Sequence, residues 1–331
     1  MEFPESPPRV SVLLPAYNRS LYIGEAIQSA LDQTFPHFEV VVVDDGSSDD
    51  TAEKVRQMTD PRVRLISQVN KGVSGALNTA FRASRGHTIA ILNSDDRWLP
   101  EFLATLVAVL DEKADIGLVY GRAQAMTFDG HPMRHRLGRP PKFPGQMFKS
   151  LVYGDHVCGI SALIRRRHIE AVRMWDESLI ANEDWDLWLR LSRICRFFFI
   201  DQVFAYYRIH ARNITHPRSM TYSRLIQDRV RVVDKVFLQP DLPPEIRAMD
   251  SMAYYNVYLY GTIRWMSVHR WKEGARYLIK AYRIFPGPAT LLRILYVVLR
   301  YGYFNEWAWG GKLLHFLGIL WRRVPLQGPA K

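Results

Sequence analysis

From Val10 onward the chain alternates short apolar runs with stretches whose apolar residues recur about every 3.6 positions. The runs Val10–Leu14, Phe38–Val43, Val63–Ile66, Thr88–Leu92 and Ile116–Tyr120 predict strands. Between them, Leu21–Leu31, Thr51–Met58, Ser74–Ala83 and Phe102–Leu110 predict helices. Strands written largely in Val, Ile and Leu are buried on both faces, so the pattern predicts an α/β fold, Rossmann-like, with a mostly parallel sheet flanked by helices. Beyond Thr127 the rhythm breaks into a hairpin-like turn at Phe128–Pro132. A loop carrying Arg134, Arg136, Arg139, Pro140 and Pro141 follows, which reads equally as a mobile lid or as a solvated surface loop. Order returns with a helix near Met147–Tyr153, a strand at Ile160–Ile164, a basic turn at Arg165–Arg167 leading into a helix near His168, and strands at Phe197–Ile200 and Val203–Tyr207.

From about Arg218 the pattern changes to long helical stretches rich in aromatic residues and arginine. Residues 253–285 resemble a single tetratricopeptide-like helical hairpin. Residues 289–321 are apolar and aromatic but are interrupted by Arg293, Arg300, Glu306, Lys312 and His315, which disfavours a membrane-spanning helix. With Trp307, Trp309 and Trp321 they fit helices lying in a membrane interface, or a packing module without lipid. The expected organisation is therefore an α/β domain over 1–217 and a basic, aromatic helical region over 218–331.

Charge sharpens that division. The net charge of +11 suggests nucleic acid at first, but residues 1–217 hold 26 Lys and Arg against 26 Asp and Glu, whereas residues 218–331 hold 18 against 7. The excess belongs to the C-terminal region, where on charge alone an anionic membrane surface fits as well as nucleic acid; of the two, the membrane surface is the expected partner and nucleic acid is not. The first ten residues lack a basic segment followed by an apolar one, so a cytoplasmic location is expected, peripheral on the inner face of the cytoplasmic membrane if the helices bind lipid. Cys158 and Cys195 lack metal-site spacing and read as small core residues.

Polar clusters end three of the predicted strands, at Pro15–Arg19, Asp44–Asp50 and Asn93–Asp96. In parallel sheets, ligands bind at the carboxyl ends of strands. Asp95 and Asp96 follow the apolar run Ile89–Leu92 directly. Adjacent carboxylates are tolerable at a strand end when a hard divalent cation lies between them and a phosphate, although an aspartate before a helix also serves as an N-cap. Glu183 and Asp184 open a second candidate site in the first turn of a helix anchored by Leu187, Trp188 and Leu191, where compensation of the helix dipole is the competing role.

Taken together, Val10–Arg19, Glu39–Thr51, Asn93–Asp96 and the Glu183-Asp184 helix resemble the family 2 glycosyltransferases, inverting enzymes of the GT-A fold that use nucleotide-diphosphate-sugars. The likeness covers roughly residues 9–215. It implies that Pro15 and Tyr17 flank a uracil base and that Asp44 accepts from uracil N3–H, a task suited to an acceptor-only carboxylate. Arg19 and Lys71 are implied near the base or phosphates, unless they are surface cations. The family's Asp-x-Asp motif falls on Asn93-Ser94-Asp95, so an amide replaces the first carboxylate and is left to bind ribose. The resemblance further implies Mn²⁺ or Mg²⁺ held by Asp95 or Asp96, with His210 of Tyr207-Arg208-Ile209-His210 on the metal or the β-phosphate. It implies Asp184 as the base that takes a proton from the acceptor hydroxyl, with Glu183 orienting it. A UDP-sugar donor and a glycan or lipid-linked acceptor are expected. Trp185 and Trp188 offer either a sugar-stacking face or core.

Other classes fit less well. A nicotinamide-dependent dehydrogenase requires a Gly-x-Gly-x-x-Gly turn where this chain has Pro15–Arg19. A sugar nucleotidyltransferase would carry a glycine-rich basic phosphate loop near the N-terminus. A non-catalytic sugar-binding protein would have no need for both acidic pairs.

Overall fold

The computed structural model describes residues 7–213, 222–266 and 268–288, together with 290 and 292. The chain divides into two compact units, one comprising residues up to 151 and 155–213, the other 152–154 and the residues from 214 onward.

The first unit opens with β1 (Val10–Ala16), α1 (Ile23–Leu31), β2 (Phe38–Asp44), α2 (Thr51–Arg56), β3 (Val63–Ser67), α3 (Gly72–Ala83) and β4 (Thr88–Ile91). All seven positions of β1 and of β2 are buried, as their apolar runs require. Each fully buried Val or Leu contributes roughly 1.5–3 kcal/mol, which makes these strands the floor of the domain. There follow β5 (Arg97–Trp98), α4 (Phe102–Glu112), β6 (Ile116–Met126), β7 (Pro132–Leu137), α5 (Met147–Tyr153), a 3₁₀ turn at Gly159–Ser161, β8 (Ala162–Arg165), α6 (Arg166–Ala171), α7 (Glu183–Leu191) and β9 (Arg196–Arg208).

The strands form one sheet in the order β3-β2-β1-β4-β8-β6-β9-β5, with β7 on β6. The parallel expectation holds for β3, β2, β1 and β4. Beyond them the sheet is mixed: β8 runs antiparallel to β4 and β6, while β6 and β9 are parallel. The antiparallel β8 could not be read from its apolar residues, because burial on both faces carries no direction.

Two local expectations change. Part of the arginine-rich segment is a strand, since β7 closes a hairpin on β6 around the turn whose Gly130 N–H donates to the Thr127 carbonyl. The two strands expected at 197–200 and 203–207 are one strand, β9, whose register against β6 shifts beside Gly121. A side chain at Gly121 would place Cβ 2.4 Å from the Phe204 ring and 2.9 Å from the Gln202 carbonyl, so only glycine admits β9 this closely.

The second unit contains α8 (Tyr222–Phe237), α9 (Pro244–Arg247), α10 (Asp250–Met266) and α11 (Trp271–Ile284). The helices α10 and α11 form the expected hairpin around Tyr255, Leu259, Ala281 and Phe285. Tyr254 donates to Asp234 Oδ1 of α8 at 2.6 Å. Among the described residues no helix is long and apolar enough to cross a membrane. The expected interfacial helices at 289–321 lie, apart from 290 and 292, outside the described residues.

Candidate active site

Parallel pairing sets one rim of the sheet. Ala16 of β1 pairs with Asp44 of β2, and Leu92, just past β4, donates its N–H to the Leu13 carbonyl, so the polar segments after β1, β2 and β4 leave the sheet on the same side. Because β8 is antiparallel to β4, with Ala90 paired to Leu163, residues 158–161 before β8 reach that rim too.

The loops after β1 and β2 are laced together. Asn18 adopts a left-handed conformation, φ 53°, which asparagine tolerates better than most residues. Its N–H donates to Ser47 Oγ at 2.9 Å and its Oδ1 accepts from the Ser48 N–H at 2.8 Å. Asp44 is buried and accepts from the Ser47 N–H at 3.3 Å. Asp45 accepts from Gln68 and from the Lys71 N–H, which fixes the start of α3; the Lys71 side chain is exposed. Pro15 is buried within β1, whereas Tyr17 is half exposed beyond its end.

Beside them lies a buried ionic cluster. Arg19 Nε donates to Asp95 Oδ2 at 3.0 Å, and its terminal nitrogens donate to the carbonyls of Tyr17, Asn18 and Arg212. With its side chain only 15% exposed, Arg19 is a structural partner of Asp95 and no mere surface cation. His210 Nδ1 accepts the Arg212 N–H, which puts the ring proton on Nε2, 3.0 Å from the same Asp95 oxygen. Asp96 accepts from the Arg208 N–H at 2.8 Å and from Asn93 Nδ2 at 2.9 Å.

The two carboxylates titrate in opposite senses. Burial alone would raise Asp95, but the hydrogen bond from His210 and the charge of Arg19 outweigh it and hold the carboxyl below its ordinary value. Burial and the negative charge of Asp95 push Asp96 well above the usual carboxylate range. An adjacent buried pair of this kind is stabilised by added positive charge.

Asp184 reaches the rim from α7. Asn182, with φ 60°, precedes the helix, and Asp184 Oδ1 accepts the Trp185 N–H at 2.7 Å. Asp184 Oδ2 lies 3.8 Å from where a Cβ on Gly159 would stand. The neighbouring Cys158 thiol is pushed up to about 12 by burial and then by Asp96, Asp184 and Asp155, so carboxylates from three separate segments act on one point. Glu183 is half-buried in the same first turn. Trp185 and Trp188 are 1% and 0% exposed and belong to the core.

The sequence did not single out Arg208, Glu25 or Tyr22. The Arg208 guanidinium donates to the carbonyls of Asp95 and Phe128, each at 2.9 Å, pairs with Glu25 at 2.5 Å and stacks over Tyr22 at 4.8 Å. Its place in Tyr207-Arg208-Ile209-His210 was a visible signal, whereas Glu25 and Tyr22 resemble ordinary residues of a surface helix. Asp155 was missed too, since it lies in the irregular segment after α5 with no motif around it. Among the described residues no three His, Cys, Asp or Glu side chains form a ready-made metal cage. Asp95 and Asp96 supply the one or two carboxylates through which Mg²⁺ is usually held.

Residues 11–173 match the model of Glycosyl transferase family 2. The chain is 31% identical over 208 residues to chondroitin synthase of Escherichia coli, covering 62% of this chain and 30% of that protein. It is 30% identical over 186 residues to the UDP-Glc:alpha-D-GlcNAc-diphosphoundecaprenol beta-1,3-glucosyltransferase WfgD of Escherichia coli, covering 56% of this chain and 70% of that one. The chain spans only 30% to 38% of the length of three curated relatives that it matches, chondroitin synthase of Escherichia coli among them. The mannosyltransferase PcManGT from Pyrobaculum calidifontis, solved in complex with GDP-Man and Mn²⁺, superposes with a TM-score of 0.60 at 22% identity, covering 97% of this chain and 89% of that structure. The fold is accordingly GT-A, and the chain belongs to glycosyl transferase family 2.

Proposed function

We propose that this glycosyltransferase moves a sugar from a UDP-sugar to an acceptor hydroxyl with inversion, using a divalent cation, in the synthesis of a glycan, polysaccharide or glycolipid. The observation that carries the reading is the pairing, on one rim, of a buried Asp95-Asp96 centre tied to Arg19, His210 and Arg208 with Asp184 at the start of α7. Asp44 would select a base that carries an N3 proton, flanked by Pro15 and Tyr17, and Asn93 would meet the ribose. Lys71 is assigned to the phosphates.

Asp95, with Asp96 as second carboxylate, would hold the cation. When bound, Mn²⁺ or Mg²⁺ neutralises the leaving diphosphate. His210 is assigned to the phosphate side of this centre. Its Nε2–H tautomer, which here faces Asp95 Oδ2, suits donation to a phosphate oxygen in exchange for that bond better than direct ligation, because Nδ1 is occupied as an acceptor. Asp184 Oδ2 takes the acceptor's proton as the hydroxyl attacks the anomeric carbon, with Glu183 orienting the alcohol. A single carboxylate on the face opposite the leaving group gives inversion.

The name of WfgD supports a UDP-sugar and a diphospholipid-linked acceptor, and the basic charge of residues 218–331 supports an acceptor at an anionic membrane surface. We assign catalysis to residues 1–217 and surface attachment to the remainder. A thermal-shift panel of nucleoside diphosphates and nucleotide-sugars, with and without Mn²⁺, tests the donor assignment. UDP and a UDP-sugar should raise the midpoint in a Mn²⁺-dependent way, and a response to GDP or CDP alone would overturn it.

A further inference from the structure

The other end of the sheet's central strands carries a concave site. Val10 of β1, Thr88 of β4 and Arg165 of β8 lie in one row across three adjacent strands, at the ends remote from the carboxylate rim. Here a cavity of about 470 Å³ is lined by Arg9, Arg165, Arg166 and Arg167, with His87 and Glu170. A volume of this order suits a small ligand.

The charge in this cavity is built in. Arg165 donates to the carbonyls of Ile116 at 2.8 Å and Leu110 at 2.5 Å. Arg166 donates to the Gly86 carbonyl at 2.6 Å and to Ser84 Oγ at 2.5 Å, and it stacks on the Phe81 ring at 4.5 Å. Carbonyl, hydroxyl and ring partners hold a guanidinium in place without cancelling its charge. The carboxylates nearby are Glu170, 3.8 Å from Arg166, and Asp111, paired with Arg9. A third carboxylate, the buried Glu39, also acts on Arg166 but is paired with Arg64 and Arg85, so the four cations of the cavity meet two anions of their own, both more than half exposed. Arg165 is pushed below its ordinary value by burial and by Arg167 and Arg9, the mark of like charges held together.

This is costly unless an anion binds. Arg165 and Arg166 form a rigid cationic floor, while Arg9 is half-buried and Arg167 exposed, both able to close on a ligand. Forked guanidiniums match the oxygens of phosphate and carboxylate alike, and a diphosphate brings the larger negative charge that four guanidiniums call for. We propose that this cavity binds a phosphate-bearing anion of diphosphate size, at a site separate from the donor site. The phosphate is either that of a free metabolite or that of a lipid headgroup.

The test is isothermal titration of the full chain with inorganic pyrophosphate, comparing wild type with the R9Q/R167Q double variant, the charge-retaining R9K/R167K and Asp95→Asn. The expected result is saturable binding that R9Q/R167Q weakens by about tenfold or more and that R9K/R167K and Asp95→Asn retain. Circular dichroism on the same samples checks that the variants are folded. The proposal is overturned if wild type shows no saturable binding, or if Asp95→Asn abolishes it while R9Q/R167Q leaves it intact, because the pyrophosphate would then sit among the rim carboxylates. Co-sedimentation with phosphatidylcholine vesicles, with and without phosphatidic acid, identifies the source. A lipid headgroup predicts arginine-dependent binding to phosphatidic acid that pyrophosphate displaces, and a free metabolite predicts none.

Discussion

Replacing Arg208 with methionine should cost about 3 kcal/mol, because this one buried side chain serves partners on three separate segments. Its guanidinium serves the Asp95 and Phe128 carbonyls, Glu25 and the Tyr22 ring, and the side chain is 3% exposed. Loss of the donor leaves the buried Asp95 carbonyl unpaired, at about 1–3 kcal/mol. The Phe128 carbonyl counts for less, since Phe128 is exposed. The cation–π contact contributes about 1 kcal/mol. The Glu25 pair adds under about 1 kcal/mol, since Glu25 is 40% exposed and also pairs with Arg97 at 2.8 Å. The apolar methionine chain recovers part of this total. In a unit of this size the midpoint of thermal unfolding should fall by roughly 6–12 °C, followed by near-ultraviolet circular dichroism. Arg208→Lys, which keeps the charge but loses the fork, should fall in between. A methionine variant within about 0.5 kcal/mol of wild type, well below the 1–3 kcal/mol expected of an orphaned buried acceptor, would refute the reasoning.

Other outcomes follow from local geometry. Gly121→Ala should destabilise by roughly 1–3 kcal/mol in urea denaturation, because its Cβ meets the Phe204 ring and the Gln202 carbonyl; a neutral result would show that β9 yields easily. Asp49 lies below its ordinary value: burial would raise it, but hydrogen bonds from Thr51 and Ser20 outweigh that. Its contribution is therefore fully present above the ordinary carboxylate range and lost as pH falls through its lowered value, so Asp49→Ala should cost about 1 kcal/mol at pH 7 and progressively less below about pH 4. A pH-independent cost would contradict the assigned cause. Burial pushes both Cys158 and Cys195 up to about 12, so iodoacetamide at pH 8 should leave the native protein unlabelled and alkylate both cysteines in denaturant. Rapid native labelling would show that one thiol is less protected than its surroundings indicate.

Much of this architecture was written in local patterns. The Val-rich runs of β1 and β2 are legible because burial on both faces demands them, and the rim follows because parallel strands end together. Asp95, Asp96 and Asp184 stood out as carboxylates at element ends. The direction of β8, the continuity of β9 and the strand β7 were not legible, since each depends on a partner distant in sequence. The same holds for Arg208. Its motif was noticed, but its work is defined by Glu25, 183 residues away, and by Phe128. The sense in which Asp95 and Asp96 titrate also required coordinates, because Arg19 and His210 both bond the first.

The central claim, that Asp95 serves the donor's phosphates while Asp184 serves the acceptor's proton, is tested most directly by measuring Mn²⁺-dependent UDP binding and transferase turnover on the same preparations of wild type, Asp95→Asn and Asp184→Asn. Asp184→Asn should bind UDP like wild type and lose turnover by roughly 10²–10⁴-fold. Asp95→Asn should lose the Mn²⁺-dependent part of binding together with turnover. Unchanged turnover in Asp184→Asn, or unchanged Mn²⁺-dependent binding in Asp95→Asn, would contradict the claim.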